Sequence, residues 1–198
     1  MNETNTLYVT LNGPVDEQNV GQMIQQLDPV LSTKSGIEYL YLIINTPGGG
    51  VNAGITFYNY LSGLPVKIIT HNIGQVDSIG NVIFLAGNER YAAPATSFLF
   101  HGVALGGNGS FSFSLTHLEE KLSQVKQDEK RIQTIVVDRT ELGPRKLANF
   151  FRSGRSISPD EALGFKIIDE VRLLDVPNNA QRAVINTFPA QAMPDPGM

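Results

Sequence analysis

Residues Tyr39-Leu40-Tyr41-Leu42-Ile43-Ile44 form an unbroken apolar run, closed by Asn45-Thr46-Pro47-Gly48-Gly49-Gly50. A strand with one wet face alternates apolar and polar side chains. An unbroken run suits a strand covered on both faces, and such strands belong mostly to parallel sheets flanked by helices. Working outward, Leu7, Val9 and Leu11 alternate with Tyr8 and Thr10, a short strand ending at Gly13-Pro14. Between these strands Val20, Ile24, Leu27 and Leu31 recur at helical spacing. On the other side the pattern predicts a helix over 51–61, a strand over 66–73, a turn at 74–77 and a helix over 78–85. Short strands follow at 91–93 and 97–100. This β-α alternation is the signature of an α/β domain.

The second half reads differently. Leu115, Leu118, Leu122, Val125, Ile132 and Ile135 mark one face of a long helix reaching about Asp138, with Glu129 interrupting the stripe. A long helix with one narrow apolar stripe packs on something beyond its own small domain. Gly143-Pro144 opens another short helix through Phe151, and Ser158-Pro159-Asp160-Glu161 carries a capping box with Pro at the first helical position. The tail from Phe188 to Met198 holds three prolines and is expected to fray.

Composition narrows the function classes. The chain has 198 residues, 41% hydrophobic and 17% charged, against a usual charged share of about 25%. Disorder needs the opposite balance. The net charge of −4, with no basic patch, argues against a nucleic-acid partner. Without cysteine there is no disulfide framework, thiolate metal site or cysteine nucleophile. The amino-terminal residues lack the basic and apolar regions of a secretory signal. No apolar run approaches the roughly 18 residues that span a bilayer, so a cytoplasmic protein without a membrane partner is expected.

Three segments could carry chemistry. The glycines at 48–50 follow a buried strand and precede a helix, so their N–H groups could meet a phosphate or a developing oxyanion. Neither a P-loop nor Gly-x-Gly-x-x-Gly is present. Gly74-Gln75-Val76-Asp77-Ser78-Ile79-Gly80 repeats the design with Ser78 at the mouth of an apolar helix. Alone, Ser78 reads as an N-cap, and it does not fit the Gly-x-Ser-x-Gly elbow. His101 leaves a strand into a glycine-rich loop, where it could be a general base or a histidine bonded to backbone. His71 and His117 read as structural, and no His or carboxylate spacing makes a metal site.

Taken in order, Pro47-Gly48-Gly49, Gly74-Gln75-x-x-Ser78-x-Gly80, Leu85-Ala86-Gly87, Pro94 and an apolar strand closing in His101 resemble the proteolytic subunit of the Clp protease. The resemblance runs from Leu11-Asn12-Gly13-Pro14-Val15 to Ile168-Asp169-Glu170-Val171 and includes the segment from Ser158 to Phe165. It implies an α/β fold of the ClpP/crotonase-like β-α superhelix type, as a single domain. The core would cover about 7–103 and 142–185, with a protruding helical handle over about 104–141 that includes the Gly106-Gly107 loop. It implies a serine endopeptidase cleaving peptides or unfolded protein through an acyl-enzyme, with no cofactor. Ser78 would be the nucleophile and His101 the base, and Gly49 and Ile79 would supply the oxyanion-hole amides. The implied assembly is a homo-oligomer, a heptameric ring, in the family stacked as a pair through the handle. Substrate would lie as an added strand between the glycine-rich strand and the handle.

Two positions depart from the family pattern. Its Asp falls on Gly154 here, so the third triad member is unassigned, with Asp160 or Asp138 as substitutes. Asp77 stands where the family has a small apolar residue. Family members also carry a further amino-terminal stretch that helps dock an AAA+ unfoldase. Its lack in this sequence predicts a free-standing or atypical particle, without that docking. The alternatives are a catalytically silent assembly subunit, for which Gly154 speaks, and a crotonase-fold acyl-CoA enzyme. Acyl-CoA enzymes typically place acids where this chain has Ser78 and His101.

Overall fold

The computed structural model describes residues 5–33, 36–104 and 114–184. In chain order these form β1 (Thr6–Asn12), α1 (Glu17–Thr33), β2 (Tyr39–Thr46), α2 (Val51–Gly63), β3 (Lys67–Asp77), α3 (Gly80–Phe84), β4 (Glu89–Ala92) and β5 (Ser97–Phe100). Then come α4 (Leu115–Arg139), α5 (Pro144–Ser153), β6 (Arg155–Ile157), α6 (Pro159–Gly164), β7 (Glu170–Val171) and β8 (Gln181–Val184). The strands make one eight-stranded sheet, ordered β6-β5-β3-β2-β1-β8, with β4 beside β3 and β7 beside β4. The fold is mixed α/β, consistent with the Clp proteolytic subunit. The Gly106-Gly107 loop and the proline-rich tail from Phe188 lie outside the described residues.

All strand pairs are parallel except β5 with β6. Parallel neighbours need crossovers, and α1 and α2 provide them between β1, β2 and β3. The apolar run in β2 divides between two cores. Leu40, Leu42 and Ile44 face the large core under α1 and α2, with Val20, Met23, Leu27, Phe57 and Leu61. The flanking helices expected on both faces cover only this one. On the other face Tyr41 and Ile43 join Tyr8, Ile69 and Tyr91, with Leu174, Val176 and Ala180 from the segment after β7 packed against them. Aromatic rings supply much of the apolar surface there. Tyr8 and Tyr41 stack at 5.0 Å between centroids.

The turn expected at 74–77 is strand: β3 continues to Asp77. A register shift between Ile44 and Thr46 lets it do so. Asparagine side chains accept the N–H groups that the irregularity frees, Gly74 N–H to Asn72 Oδ1 (3.0 Å) and Gln75 N–H to Asn45 Oδ1 (3.1 Å). The extra length matters for the site. β3 pairs with β4 over residues 69–72 and with β5 over 75–77, so the sheet forks along one strand. That fork brings the end of β5 beside the end of β3.

The short helix start at Ser158 is as the sequence predicts. Ser158 Oγ accepts the Glu161 N–H, and Glu161 accepts the Ser158 N–H. The long helix is α4, capped by Ser114. Its second half is anchored: Asp128, Ile132 and Val136 are buried. Its first half leaves Leu115, Leu118 and Leu122 more than half exposed, at 73%, 51% and 53%.

Candidate active site

At the end of β3 the chain turns sharply into α3. Ser78 makes that turn with φ of 56°, a left-handed conformation that costs a non-glycine residue about 1–2 kcal/mol. Such strain persists only where surroundings over-determine it, and here they do. Ser78 N–H donates to Leu99 O (2.8 Å), and Asn81 Nδ2 donates to both Ser78 O (3.1 Å) and Leu99 O (2.8 Å). Ser78 is not the N-cap its position suggests: Ile79 holds that place, and no side-chain bond caps α3. Among the described residues the Ser78 hydroxyl makes no hydrogen bond, and Ser78 lines a cleft. The sequence motif differs from Gly-x-Ser-x-Gly, but the backbone makes an equivalent elbow.

The glycine turn seats against this elbow. Gly48 and Gly49 have φ of 84° and 150°, where side chains are disfavoured. A Cβ on Gly48 would lie 2.7 Å from Ser78 Cβ, and one on Gly49 would lie 2.1 Å from Val15 O. Val15 fixes the turn from the other side, its N–H donating to Gly48 O (2.8 Å) and its carbonyl accepting from Gly50 N–H (2.7 Å). These bonds skip Gly49. Among the described residues no acceptor pairs with the main-chain N–H of Gly49 or of Ile79. Gly49 is exposed, and Ile79 stands at the N-terminus of α3, where N–H groups lack intrahelical partners, so neither donor is committed within the chain.

Gly49, Ser78 and His101 line one cleft of about 280 Å³, closed by Phe100, Ile132 and Phe151. His101 follows directly from β5 and is exposed. Its Nδ1 lies 2.8 Å from Gly102 O. A carbonyl only accepts, so Nδ1 carries the proton and Nε2 keeps its lone pair. That is the tautomer a general base requires.

No acid occupies the expected third place. β5 and β6 pair with Phe98 opposite Ile157 and Phe100 opposite Arg155, so one further step sets His101 opposite Gly154. There Gly154 ends α5 in a left-handed cap, with φ of 65° and its N–H donating to Phe150 O (3.0 Å). A Cβ at this position would meet nothing within 4 Å. Asp138 and Asp160 are exposed and do not line the cleft. Asp77, next to Ser78, is half-buried; burial raises the pKa of its carboxyl, against smaller opposing pulls from the Leu99 main chain and then His101.

His71 lies inside the sheet, away from the cleft. Its Nε2 faces Arg172 O (3.1 Å) and so carries the proton, while Nδ1 accepts from Tyr41 O–H (2.7 Å). Burial lowers its pKa to about 4. His117 sits in the first turn of α4. Asn81 is the site residue the sequence reading passed over. Its signal was one amide inside the apolar run Ile79 to Leu85, where a polar side chain needs a reason.

A family model described as Clp protease matches residues 3–173. The ATP-dependent Clp protease proteolytic subunit of Deinococcus radiodurans is 28% identical over 160 residues, which cover 80% of this chain and 76% of that protein.

Proposed function

This chain belongs to the Clp protease family, and on that premise we propose that it is a serine endopeptidase acting on peptides or unfolded protein. Ser78 Oγ attacks the scissile carbonyl carbon while His101 Nε2 takes its proton. The negative charge that develops on the carbonyl oxygen is met by the N–H groups of Gly49 and Ile79. Collapse of this intermediate breaks the C–N bond, and the imidazolium returns its proton to the leaving amine. Water, deprotonated by His101, then attacks the ester and releases Ser78. The observation that carries this reading is the pair of unpaired N–H groups beside a serine held in a strained turn. A plain strand-to-helix turn leaves N–H groups unpaired too, but it has no need of a left-handed serine.

A silent assembly subunit is the second reading, and Gly154 opposite His101 favours it. A fluorophosphonate probe separates the two. The peptidase reading expects one adduct on the assembled protein, absent from Ser78→Ala; no adduct on either supports the silent subunit.

The same family suggests oligomeric assembly. We assign the contact between copies to the exposed Leu115, Leu118 and Leu122 on α4, as the handle of a single-domain subunit in a heptameric ring or a stacked pair of rings. Substrate would add as a strand beside the glycine turn, where main-chain pairing gives low sequence selectivity. No helix among the described residues is long and apolar enough to cross a membrane, and we place the protein in the cytoplasm. Native mass spectrometry tests the assembly: Leu118→Glu with Leu122→Glu should reduce the particle to smaller species, and an unchanged mass would contradict the assignment.

A further inference from the structure

Glu129 interrupts the apolar stripe of α4, and the structure supplies a use for it. Its Oε1 accepts the Val103 N–H at 3.3 Å, two residues past His101. The same oxygen lies 2.9 Å from where a Cβ on Gly102 would stand, so the main chain passes the carboxylate closely. From the other side Gly102 N–H donates to Phe151 O at 3.0 Å. Residue 102 is thus held through both its flanking peptide groups, and the one that joins 102 and 103 is held at its N–H. Its carbonyl is Gly102 O, the group that faces His101 Nδ1.

We infer that Glu129 is a positioning residue for His101. Its carboxylate fixes the peptide between Gly102 and Val103, whose carbonyl orients the imidazole and fixes its tautomer where other triads use an acid. The inference rests on the proposed role of His101 as base. A backbone carbonyl is a recognised partner for histidine Nδ1–H. It lacks the full charge of a carboxylate, so it orients the ring while stabilising the imidazolium less. Asp77 from β3 is the charged group whose field also reaches His101. The link runs from α4 to the base, so the helix with the exposed apolar residues also bears on the catalytic ring.

The test compares fluorophosphonate labelling rates of wild type, Glu129→Ala, Glu129→Gln and Gly102→Ala, each first sized by native mass spectrometry. Loss of the acceptor in Glu129→Ala should slow labelling roughly 10–100-fold, the scale of a misplaced catalytic group. Glu129→Gln keeps an acceptor oxygen and should recover most of the rate. Gly102→Ala disturbs the same contact from the other side, so the double variant should be no slower than the worse single one. If Glu129→Ala labels at the wild-type rate, the inference falls and the peptidase reading stands. If wild type itself does not label, the peptidase reading falls, and the ring decides the rest. NMR of isotope-labelled histidine should find His101 protonated at Nδ1 in wild type and mixed between tautomers in Glu129→Ala. An identical tautomer in both would overturn the positioning role independently of activity.

Discussion

The Ser78 side of the cleft and the His101 side are built to different standards. Around Ser78, two glycines, Val15, Leu99 and Asn81 fix the backbone through short contacts, and hardly an atom could be added. Around His101 the ring is exposed, its hydrogen-bond partner among the described residues is the next carbonyl, and the β5–β6 register carried one step further sets a glycine with open space around it opposite. On the proposed roles, the anion-stabilising machinery is preorganised, while the proton-transfer machinery is lightly held. An oxyanion hole must be rigid to act, because donors that reorganise lose their advantage. A base can be recruited by a small rotation, so a subunit can keep its fold and its oxyanion turn while its proton transfer weakens.

Breaking the rigid side should cost most. Gly49→Ala places a methyl group against Val15 O and moves the N–H that would serve the oxyanion. Loss of one such donor typically costs 10²–10³ in turnover, and probe labelling of the assembled particle should fall accordingly. A loss below threefold would mean that Gly49 is no donor.

The two histidines sharpen the same contrast. His71 is buried and neutral, with its pKa lowered to about 4 from an ordinary 6.5. The unfolded chain binds a proton there more readily than the folded one, so stability rises with pH across that window. The contribution, roughly 3 kcal/mol from a shift of this size, is complete above about pH 6.5 and disappears as pH falls towards 4. Denaturant titrations of wild type and His71→Gln should show the wild type losing more stability across this range. Equal slopes would contradict the assignment.

Strengthening the loose side should give a gain. Gly154→Asp puts a carboxylate opposite His101, in free space, at a backbone cost of about 1–2 kcal/mol for the left-handed cap. Peptide hydrolysis should rise at least about tenfold, a fraction of the 10⁴ that an orienting acid can supply. No gain in a folded variant would show that the β5–β6 register does not bring residue 154 to the ring. The smallest effect is expected at the elbow's brace. Asn81→Ala removes two hydrogen bonds to carbonyls that keep main-chain partners, so thermal unfolding should report about 1–3 kcal/mol lost. A neutral result would mean that Gly48 and Leu99 hold the turn without it.

Much of this was legible in the chain. The apolar run of β2, the stripe of α1 and the capping box of α6 announce their elements because each rests on local pattern or local hydrogen bonds. The extension of β3 through Gly74-Gln75-Val76-Asp77 did not, because the bonds that permit it come from Asn45 across the sheet and from Asn72. The short strands β6, β7 and β8 escaped for a related reason: two to four residues carry no period, and they exist only through their partners. Motif order singled out Ser78 and His101, which the fold brings into one cleft. The left-handed backbone of Ser78 and the brace from Asn81 were not legible there, since both depend on Leu99 arriving beside them. Glu129 was visible only as a flaw in a stripe, and its contact with Val103 needed the fold to show it.

The central claim is that Ser78 is an activated nucleophile in a preorganised oxyanion turn. Intact-mass measurement of the assembled protein after fluorophosphonate treatment tests it most directly. The account predicts one probe mass per chain on wild type, none on Ser78→Ala, and slowed labelling on His101→Gln. An unmodified wild-type mass, on protein of correct fold and assembly, would contradict it.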